Sequence, residues 1–263
     1  MTTVEPSERP EIMGTIRVGA VNYLNAKPLI EGLTRFAPNV ELSLDLPSRL
    51  ADRLAAGAID VGLIPVVEYF RGKNYSFIPN IAIASRGPVL SVTLFSRKPW
   101  PQIQTVALDE GSRSSAALTQ ILLSKRYGVQ PKLQPLPIDA AAESLDTDAV
   151  LLIGDRAMQA CLPGHRYAYD LGQEWTDWTG LPFVYAVWAV RAGVKLGDAE
   201  QAFHMAKDYG VTHVGLIAER EAPLLELDAG YCRRYLDTLI RYDLGPQELA
   251  GMERYRELLG ELS

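Results

Sequence analysis

The sequence predicts an α/β protein with two lobes and a cleft between them, the first lobe being built from two separate parts of the chain. Strand and helix patterns alternate with short loops from residue 16 onward, which is typical of a parallel sheet. A second strand–helix series lies between two long apolar segments, VLSVTLFS and FVYAVWAV, and the chain after residue 191 is helical. We therefore expect lobe 1 at 14–94 and 187–263, an inserted lobe 2 at 95–186, and a loose leader at 1–13.

Local patterns define the elements of lobe 1. Pro47 and Ser48 are typical of a helix start, and Gly57 is typical of a helix end. The segment IDVGLI is apolar except for Asp60, as expected of a parallel strand covered on both faces. The predicted elements are strands at 16–20, 40–46 and 59–64, and helices at 26–33, at 49–56 and from Pro65.

The remaining elements follow from the same reasoning. The two long apolar segments are predicted to be strands that carry the chain from one lobe to the other, and a ligand would then bind between hinged lobes. The predicted elements are long strands at 89–96 and 183–190, shorter strands at 105–108, 132–136, 149–153 and 167–171, and helices at 114–127, 198–218, 228–242 and 246–259.

Composition limits the class of protein. A formal net charge of −6 argues against a nucleic-acid partner, because such binding needs a basic surface. Cys161 and Cys232 lie far apart and fit neither a metal site nor a disulfide framework, so we expect reduced thiols. The opening MTTVEPSERPEIMG lacks the pattern of a signal peptide, and no apolar stretch has the length of a membrane span. We expect a cytoplasmic protein with no membrane partner; the oligomeric state stays open.

Five polar segments are predicted to face the cleft, because ligands of α/β sheets bind beyond the carboxyl ends of parallel strands. Asparagine offers donors and acceptors for a small polar ligand, but it also caps turns. The segment DEGSRSS follows a strand and enters a helix, so it is either an anion cradle or an ordinary N-cap. The candidate ligand-binding residues are Asn22, Asn25, Ser48, Arg86, Gly87, Ser91, Ser112, Arg113, Ser114, Ser115, Gly154 and Asp155.

Several standard sites have no counterpart in the sequence. It contains no phosphate-binding glycine loop, no nucleophile elbow and no metal-spaced cluster, so no metal or organic cofactor is expected. The histidines, His165, His204 and His213, are predicted to be solvated or packed rather than catalytic. The aromatic residues around 175–188 are expected to pack in the core or hinge, with one of them lining the pocket.

Taken together, these segments resemble the MqnA/MqnD family of the futalosine route to menaquinone. The resemblance rests on VGAVNYLNAKPL, PSRLADRLAAGAIDVGLIPVVEY, GPVLSVTLFSR, ALDEGSRSSAALTQILL, AVLLIGDRAM and YDLGQEWTDWTGLPFVYAVWAVR, in this order. It implies a periplasmic-binding-protein type II fold. It also implies the branch that dehydrates chorismate to 3-[(1-carboxyvinyl)oxy]benzoate, because the other branch has a histidine where this chain has Gly154. That branch acts on cyclic de-hypoxanthine futalosine and remains the enzymatic alternative; a non-catalytic anion-binding protein is the other.

The resemblance also suggests roles for individual residues. Ser114 and Ser115 would hold one carboxylate of chorismate, while Asn25 and Ser91 would orient the ring substituents. Asp155 would engage the hydroxyl group, act as the base, or only cap a helix. The other possible base is the side-chain carboxylate of the substrate itself, and the sequence does not choose between them.

Overall fold

Two five-stranded sheets form the framework of the protein, for which the computed structural model describes residues 14–262; the expected leader at 1–13 lies outside them. The first sheet has the order β2-β1-β3-β10-β4 and the second the order β7-β6-β8-β5-β9. The first contains β1 Ile16–Val21, β2 Val40–Asp45, β3 Val61–Pro65, β4 Ser76–Ser85 and β10 Phe183–Val190. The second contains β5 Val92–Ser96, β6 Thr105–Asp109, β7 Lys132–Leu136, β8 Ala149–Ile153 and β9 Tyr167–Asp170.

Both sheets are mixed rather than wholly parallel. In the first, β1 runs parallel to β2 and β3, but β10 runs antiparallel to β3 and β4. In the second, β6 is parallel to β7 and β8, whereas β5 is antiparallel to β8 and β9. The parallel strands β1, β2, β6 and β8 therefore supply carboxyl ends that predicted polar segments follow.

Eleven α-helices lie on or between the sheets in the described part of the chain. In lobe 1 the first four are α1 Lys27–Ile30, α2 Leu33–Phe36, α3 Pro47–Ala55 and α4 Val66–Arg71. Three follow in lobe 2, namely α5 Arg113–Ile121, α6 Gly154–Gln159 and α7 Leu171–Thr179. The C-terminal part contains α8 Ala199–Thr212, α9 Val214–Glu221, α10 Ala229–Arg234 and α11 Pro246–Gly260. Within residues 14–262 no helix combines the length and the apolar character needed to cross a bilayer.

Several predicted elements differ from the structure. Where one helix was expected at 26–33, the structure has a 3-10 turn followed by the short helices α1 and α2. Gly32, with φ of 78°, separates these two helices. The helix expected at 198–218 breaks between α8 and α9 at His213. The helix expected at 228–242 ends in a π-helical turn, Tyr235–Leu239. Strand β4 and helix α7 were not predicted at all.

The chain passes from one sheet to the other outside the two long apolar segments, VLSVTLFS and FVYAVWAV. Strand β5 pairs only in the second sheet and β10 only in the first, so neither runs between the lobes as the sequence interpretation has it. Leu90 has φ of 61°, a left-handed conformation that ends the extended backbone before β5 begins. The crossings therefore lie in 86–91 and after α7, and we propose lobe boundaries there rather than at 94/95 and 186/187.

One hydrophobic core joins most of the two lobes. Strands β3 and β10 are buried along their whole length, as the continuous apolar pattern predicts. Trp175, Phe183 and Tyr255 make edge-on ring contacts near the second crossing, with centroids 4.9–6.1 Å apart. Because α7, β10 and α11 each contribute one of these rings, the packing fixes the second crossing against lobe 1.

Candidate functional site

A cavity lies between the lobes, and its empty space, including the part open to solvent, is about 470 Å³. The ends of β1, β3 and β8 open onto it, and the middle of β10 forms one wall. This is the position at which parallel α/β sheets bind ligands. Its lining is Val21, Tyr23, Asn25, Pro47, Pro65, Ile83, Ser91, Val92, Ser112, Ser115, Ile153, Gly154, Tyr185 and Ala186. The site is therefore mainly apolar, with hydroxyl and amide groups at a few positions.

Contacts between the lobes close the cavity. The Ser48 N–H donates to the Gly111 carbonyl at 3.2 Å. Beside this contact, Arg113 forms two hydrogen bonds of 2.9 Å to the Asp52 carboxylate. A further bond of 3.3 Å joins Arg113 to Glu68. Ser48 and Arg113, both expected at the ligand, thus hold the lobes together and are absent from the cavity lining.

The start of helix α5 presents hydroxyl groups to the cavity. Ser112 is the N-cap residue, and its Oγ accepts the Ser115 N–H at 3.3 Å. The two hydroxyl oxygens lie 3.1 Å apart, and both residues line the cavity. Free N–H groups and the helix dipole at this end favour an anion. The segment DEGSRSS therefore supplies both an N-cap and donors suited to a carboxylate.

Ser114 points away from the cavity. Its Oγ accepts the Val67 N–H at 3.2 Å, and its carbonyl accepts the Tyr255 hydroxyl at 2.9 Å. Helical geometry explains the difference, because neighbouring residues on one turn face different directions. Of the three serines, Ser112 and Ser115 therefore line the cavity, while Ser114 joins α5 to lobe 1.

Asn25 and Ser91 come together at the opposite side of the cavity lining. Ser91 is buried, and its Oγ accepts the Tyr235 hydroxyl at 2.7 Å. Its carbonyl accepts the Gly154 N–H at 2.7 Å, which fixes the backbone of both residues. The Asn25 Oδ1 atom is buried without a hydrogen-bond partner among the described residues. A buried acceptor of this kind requires a partner, and a ligand hydroxyl in the cavity would supply it.

Asp155 connects the lobes just outside the cavity lining. Its Oδ1 accepts the Leu24 N–H at 3.0 Å, so the carboxylate holds the NYLN segment against α6. Burial raises the pKa of Asp155 to about 6, and repulsion from Glu221 adds to this effect. The Leu24 N–H and the Lys27 ammonium oppose the rise in the pKa.

Gly154 allows an aromatic ring to close the site. It has φ of 63°, and a Cβ there would lie 2.9 Å from the Tyr23 ring. A residue with a side chain would therefore be strained and would displace the ring. Burial raises the pKa of the Tyr23 hydroxyl well above its usual range, so this phenol is a neutral donor at physiological pH.

The remaining predicted ligand residues lie outside the cavity lining. The Asn22 Oδ1 atom accepts the Lys27 ammonium at 3.0 Å on an exposed surface. Arg86 is also exposed and donates to Gln247. Gly87 has φ of 91° and donates its N–H to Thr176, which shapes the first crossing. Of the twelve candidates, the structure gathers Asn25, Ser91, Ser112, Ser115 and Gly154 around the cavity.

Three positions at or behind the cavity were not among the twelve candidates. Tyr23 and Tyr185 line the cavity, and Tyr235 supports Ser91 from behind. Tyr23 lies within the quoted NYLN segment, and Tyr185 lies within the aromatic group of which one member was expected to line the pocket. Tyr235 gives no sequence signal, because it resembles any apolar position in a C-terminal helix.

The cavity lining contains no carboxylate, imidazole, ammonium or guanidinium group among residues 14–262. In the same range, no three His, Cys, Asp or Glu side chains are grouped as a metal site. An anion in this cavity would therefore be bound by hydroxyl groups, amides and backbone dipoles.

Comparisons with known proteins agree with this arrangement. A family model described as menaquinone biosynthesis matches residues 16–261. A chorismate dehydratase from Thermus thermophilus is 32% identical over 273 residues, covering 96% of this chain and 96% of that protein. A chorismate dehydratase from Campylobacter jejuni is 25% identical, covering 90% of this chain and 94% of that protein.

Solved structures show the fold class. The alkanesulfonate-binding protein SsuA from Xanthomonas axonopodis pv. citri has a TM-score of 0.67 and 14% identity, covering 94% of this chain and 92% of that one. At this identity the similarity concerns the fold alone. It confirms the predicted two-lobed, periplasmic-binding-protein-like fold.

Proposed function

The chain belongs to the menaquinone biosynthesis family, and from this premise we propose that it is a lyase that dehydrates chorismate to 3-[(1-carboxyvinyl)oxy]benzoate. The observation that carries the proposal is its 32% identity, over 96% of both chains, to a protein named chorismate dehydratase. The reaction would be the first step of the futalosine route. We further propose that it takes place in the cytoplasm, since Cys161 and Cys232 are both free thiols, as a reducing compartment favours.

The chemistry of chorismate makes modest demands on the protein. The C3 hydrogen is acidic because the ring carboxylate is conjugated to it through the adjacent double bond. When this proton leaves, the C–H electron pair forms the C3–C4 double bond, and the C4 oxygen departs with the electrons of its bond. The proton and the hydroxyl group leave as one water, and the ring becomes aromatic. The protein has to bind the dianion, fix one conformer and stabilise the departing oxygen.

The cavity offers a group for each of these tasks. Ser112, Ser115 and the first N–H groups of α5 would bind one carboxylate. Asn25 Oδ1, which has no other partner, would accept the C4 hydroxyl hydrogen. Ser91 would donate its own hydrogen to the departing oxygen. The apolar walls exclude water, which strengthens these interactions.

The substrate itself would supply the base. Asp155 is engaged with the Leu24 N–H and does not line the cavity. Among the described residues, the lining contains no carboxylate and no histidine. We therefore favour the side-chain carboxylate of chorismate as the acceptor of the C3 proton, with Asp155 acting to hold the lobes together.

Parallel incubations would test the proposal. The purified protein is given chorismate or cyclic de-hypoxanthine futalosine in buffer with EDTA, and products are followed by mass spectrometry. We expect chorismate alone to be consumed, with loss of one water. Consumption of the futalosine derivative alone would assign the chain to the other branch. Binding of chorismate without turnover would support the anion-binding alternative.

A further inference from the structure

Tyr235 lies behind the cavity wall in a fully buried position. It belongs to the π-helical turn that follows α10, and only 1% of its surface is exposed. It is absent from the cavity lining, so it does not reach a ligand. Its hydroxyl donates to Ser91 Oγ at 2.7 Å, the usual distance for two hydrogen-bonded hydroxyl groups. Tyr235 therefore acts on the cavity through a residue of its lining, Ser91.

The direction of this hydrogen bond determines what Ser91 can offer. A serine hydroxyl has one hydrogen to donate and can accept from others. Because Tyr235 is the donor in this pair, the hydrogen of Ser91 remains free. The Ser91 main chain is fixed as well, since its N–H donates to the Val89 carbonyl and its carbonyl accepts the Gly154 N–H. The free hydrogen can thus be donated to a group in the cavity, which Ser91 lines.

Neighbouring groups keep Tyr235 neutral and oriented. Burial raises the pKa of its hydroxyl well above the usual range, so the phenol keeps its proton at physiological pH. The Asn25 amide lies beside the same hydroxyl and lowers this pKa in part. The neutral Tyr235 hydroxyl therefore keeps the hydrogen that it donates to Ser91 Oγ.

We propose that Tyr235 is a positioning residue that aims the Ser91 hydrogen at the hydroxyl group of the substrate. This inference rests on the proposed dehydration. In that reaction Ser91 donates a hydrogen bond to the C4 oxygen as the C–O bond breaks, and no proton is transferred to or from Tyr235. Without Tyr235, the Ser91 hydrogen can turn toward other acceptors, and the departing oxygen loses its donor in a fraction of the complexes.

Tyr235→Phe removes the donor and keeps the ring. We expect kcat for chorismate to fall about tenfold or more, as the loss of one aligned hydrogen bond to the transition state implies, with KM changed less than threefold. Tyr242→Phe is the matched control, because Tyr242 is also buried and its hydroxyl has no hydrogen-bond partner among the described residues. The control should retain wild-type kcat. Equal kcat in Tyr235→Phe and the wild type would overturn the proposal.

A double variant separates positioning from general damage. In the Ser91→Ala background the phenol has no hydroxyl to direct, so adding Tyr235→Phe should lower kcat by less than twofold. A second loss as large as the first would mean that Tyr235 acts independently of Ser91, which contradicts the proposal.

Thermal unfolding of the ligand-free variants tests the contact without relying on turnover. The double variant should melt no lower than the less stable single variant, because one hydrogen bond is lost in all three. Additive shifts in Tm would overturn the assignment. If the wild type leaves chorismate unchanged, the proposed function fails, and these melting shifts still decide whether Tyr235 holds Ser91.

Discussion

Asp155→Asn is the substitution that best separates a structural carboxylate from a catalytic one. Asp155 has a pKa of about 6 in the folded protein, compared with about 4 for an unperturbed aspartate. The folded state therefore binds the proton more tightly than the unfolded state. As pH rises from about 4 to about 6, ionisation destabilises the folded protein, and the penalty persists above pH 6. Two units of pKa correspond to about 3 kcal/mol.

Asparagine avoids this penalty and keeps the contact. It does not ionise, and its Oδ1 can still accept the Leu24 N–H that now bonds to Asp155 at 3.0 Å. The free energy of unfolding of the variant, relative to the wild type, should thus rise by up to about 3 kcal/mol between pH 4 and pH 8. Urea unfolding at the two pH values measures this difference. Asp228→Asn is the control, because Asp228 accepts one backbone N–H at an exposed position.

Two results would refute this reasoning. A stability difference that is independent of pH, or equal to that of the Asp228 control, would mean that burial does not penalise the Asp155 charge. The kinetic result is separate, because a general base contributes about 10²- to 10⁴-fold to the rate. We expect kcat of Asp155→Asn to stay within about threefold of the wild type. A loss of a hundredfold or more with unchanged KM would instead identify Asp155 as the base.

Three further predictions concern the cavity and its closure. Asn25→Ala and Ser91→Ala should each lower kcat about tenfold or more, since each removes a group directed at the ligand, and steady-state kinetics of folded variants measure this. Ser115→Ala should raise KM about tenfold. Ser114→Ala should instead lower stability by about 1 kcal/mol and leave KM unchanged. The reverse pattern would contradict the placement of the anion cradle. Arg113→Gln should raise KM severalfold through weaker lobe closure and lower stability by less than about 1 kcal/mol, because this pair is partly exposed.

Sequence patterns predicted the two-lobed fold well where a segment is apolar and regular. The continuous run that forms β3 and the long run that forms β10 were both recognised as strands, because burial on both faces selects apolar residues at every position. The crossings were misplaced, since the turn at Leu90 depends on a long-range contact. Asp170 accepts the N–H groups of Val89 and Leu90 at 2.9 and 2.6 Å, and nothing in the local sequence indicates this.

The sequence located the segments that form the candidate site better than it identified the individual residues that line the cavity. Ser112, Ser114 and Ser115 were recognised together as a possible cradle, but the helical turn directs Ser114 to Val67 instead. Arg113 was also expected at the ligand, but its side chain bonds instead to the carboxylate of Asp52 in the other lobe. Sequence periodicity assigns residues to an element, whereas the direction of each side chain at the cleft depends on how the lobes close.

The central claim is that chorismate loses its C3 hydrogen and C4 hydroxyl group within this cavity. The most direct measurement uses chorismate labelled with deuterium at C3 and heavy oxygen at C4, with mass spectrometry of the product formed by the wild type in EDTA. We predict an aromatic product that has lost both labels, formed more slowly by Ser91→Ala. A product that retains either label, or unchanged chorismate after prolonged incubation with folded protein, would contradict the account.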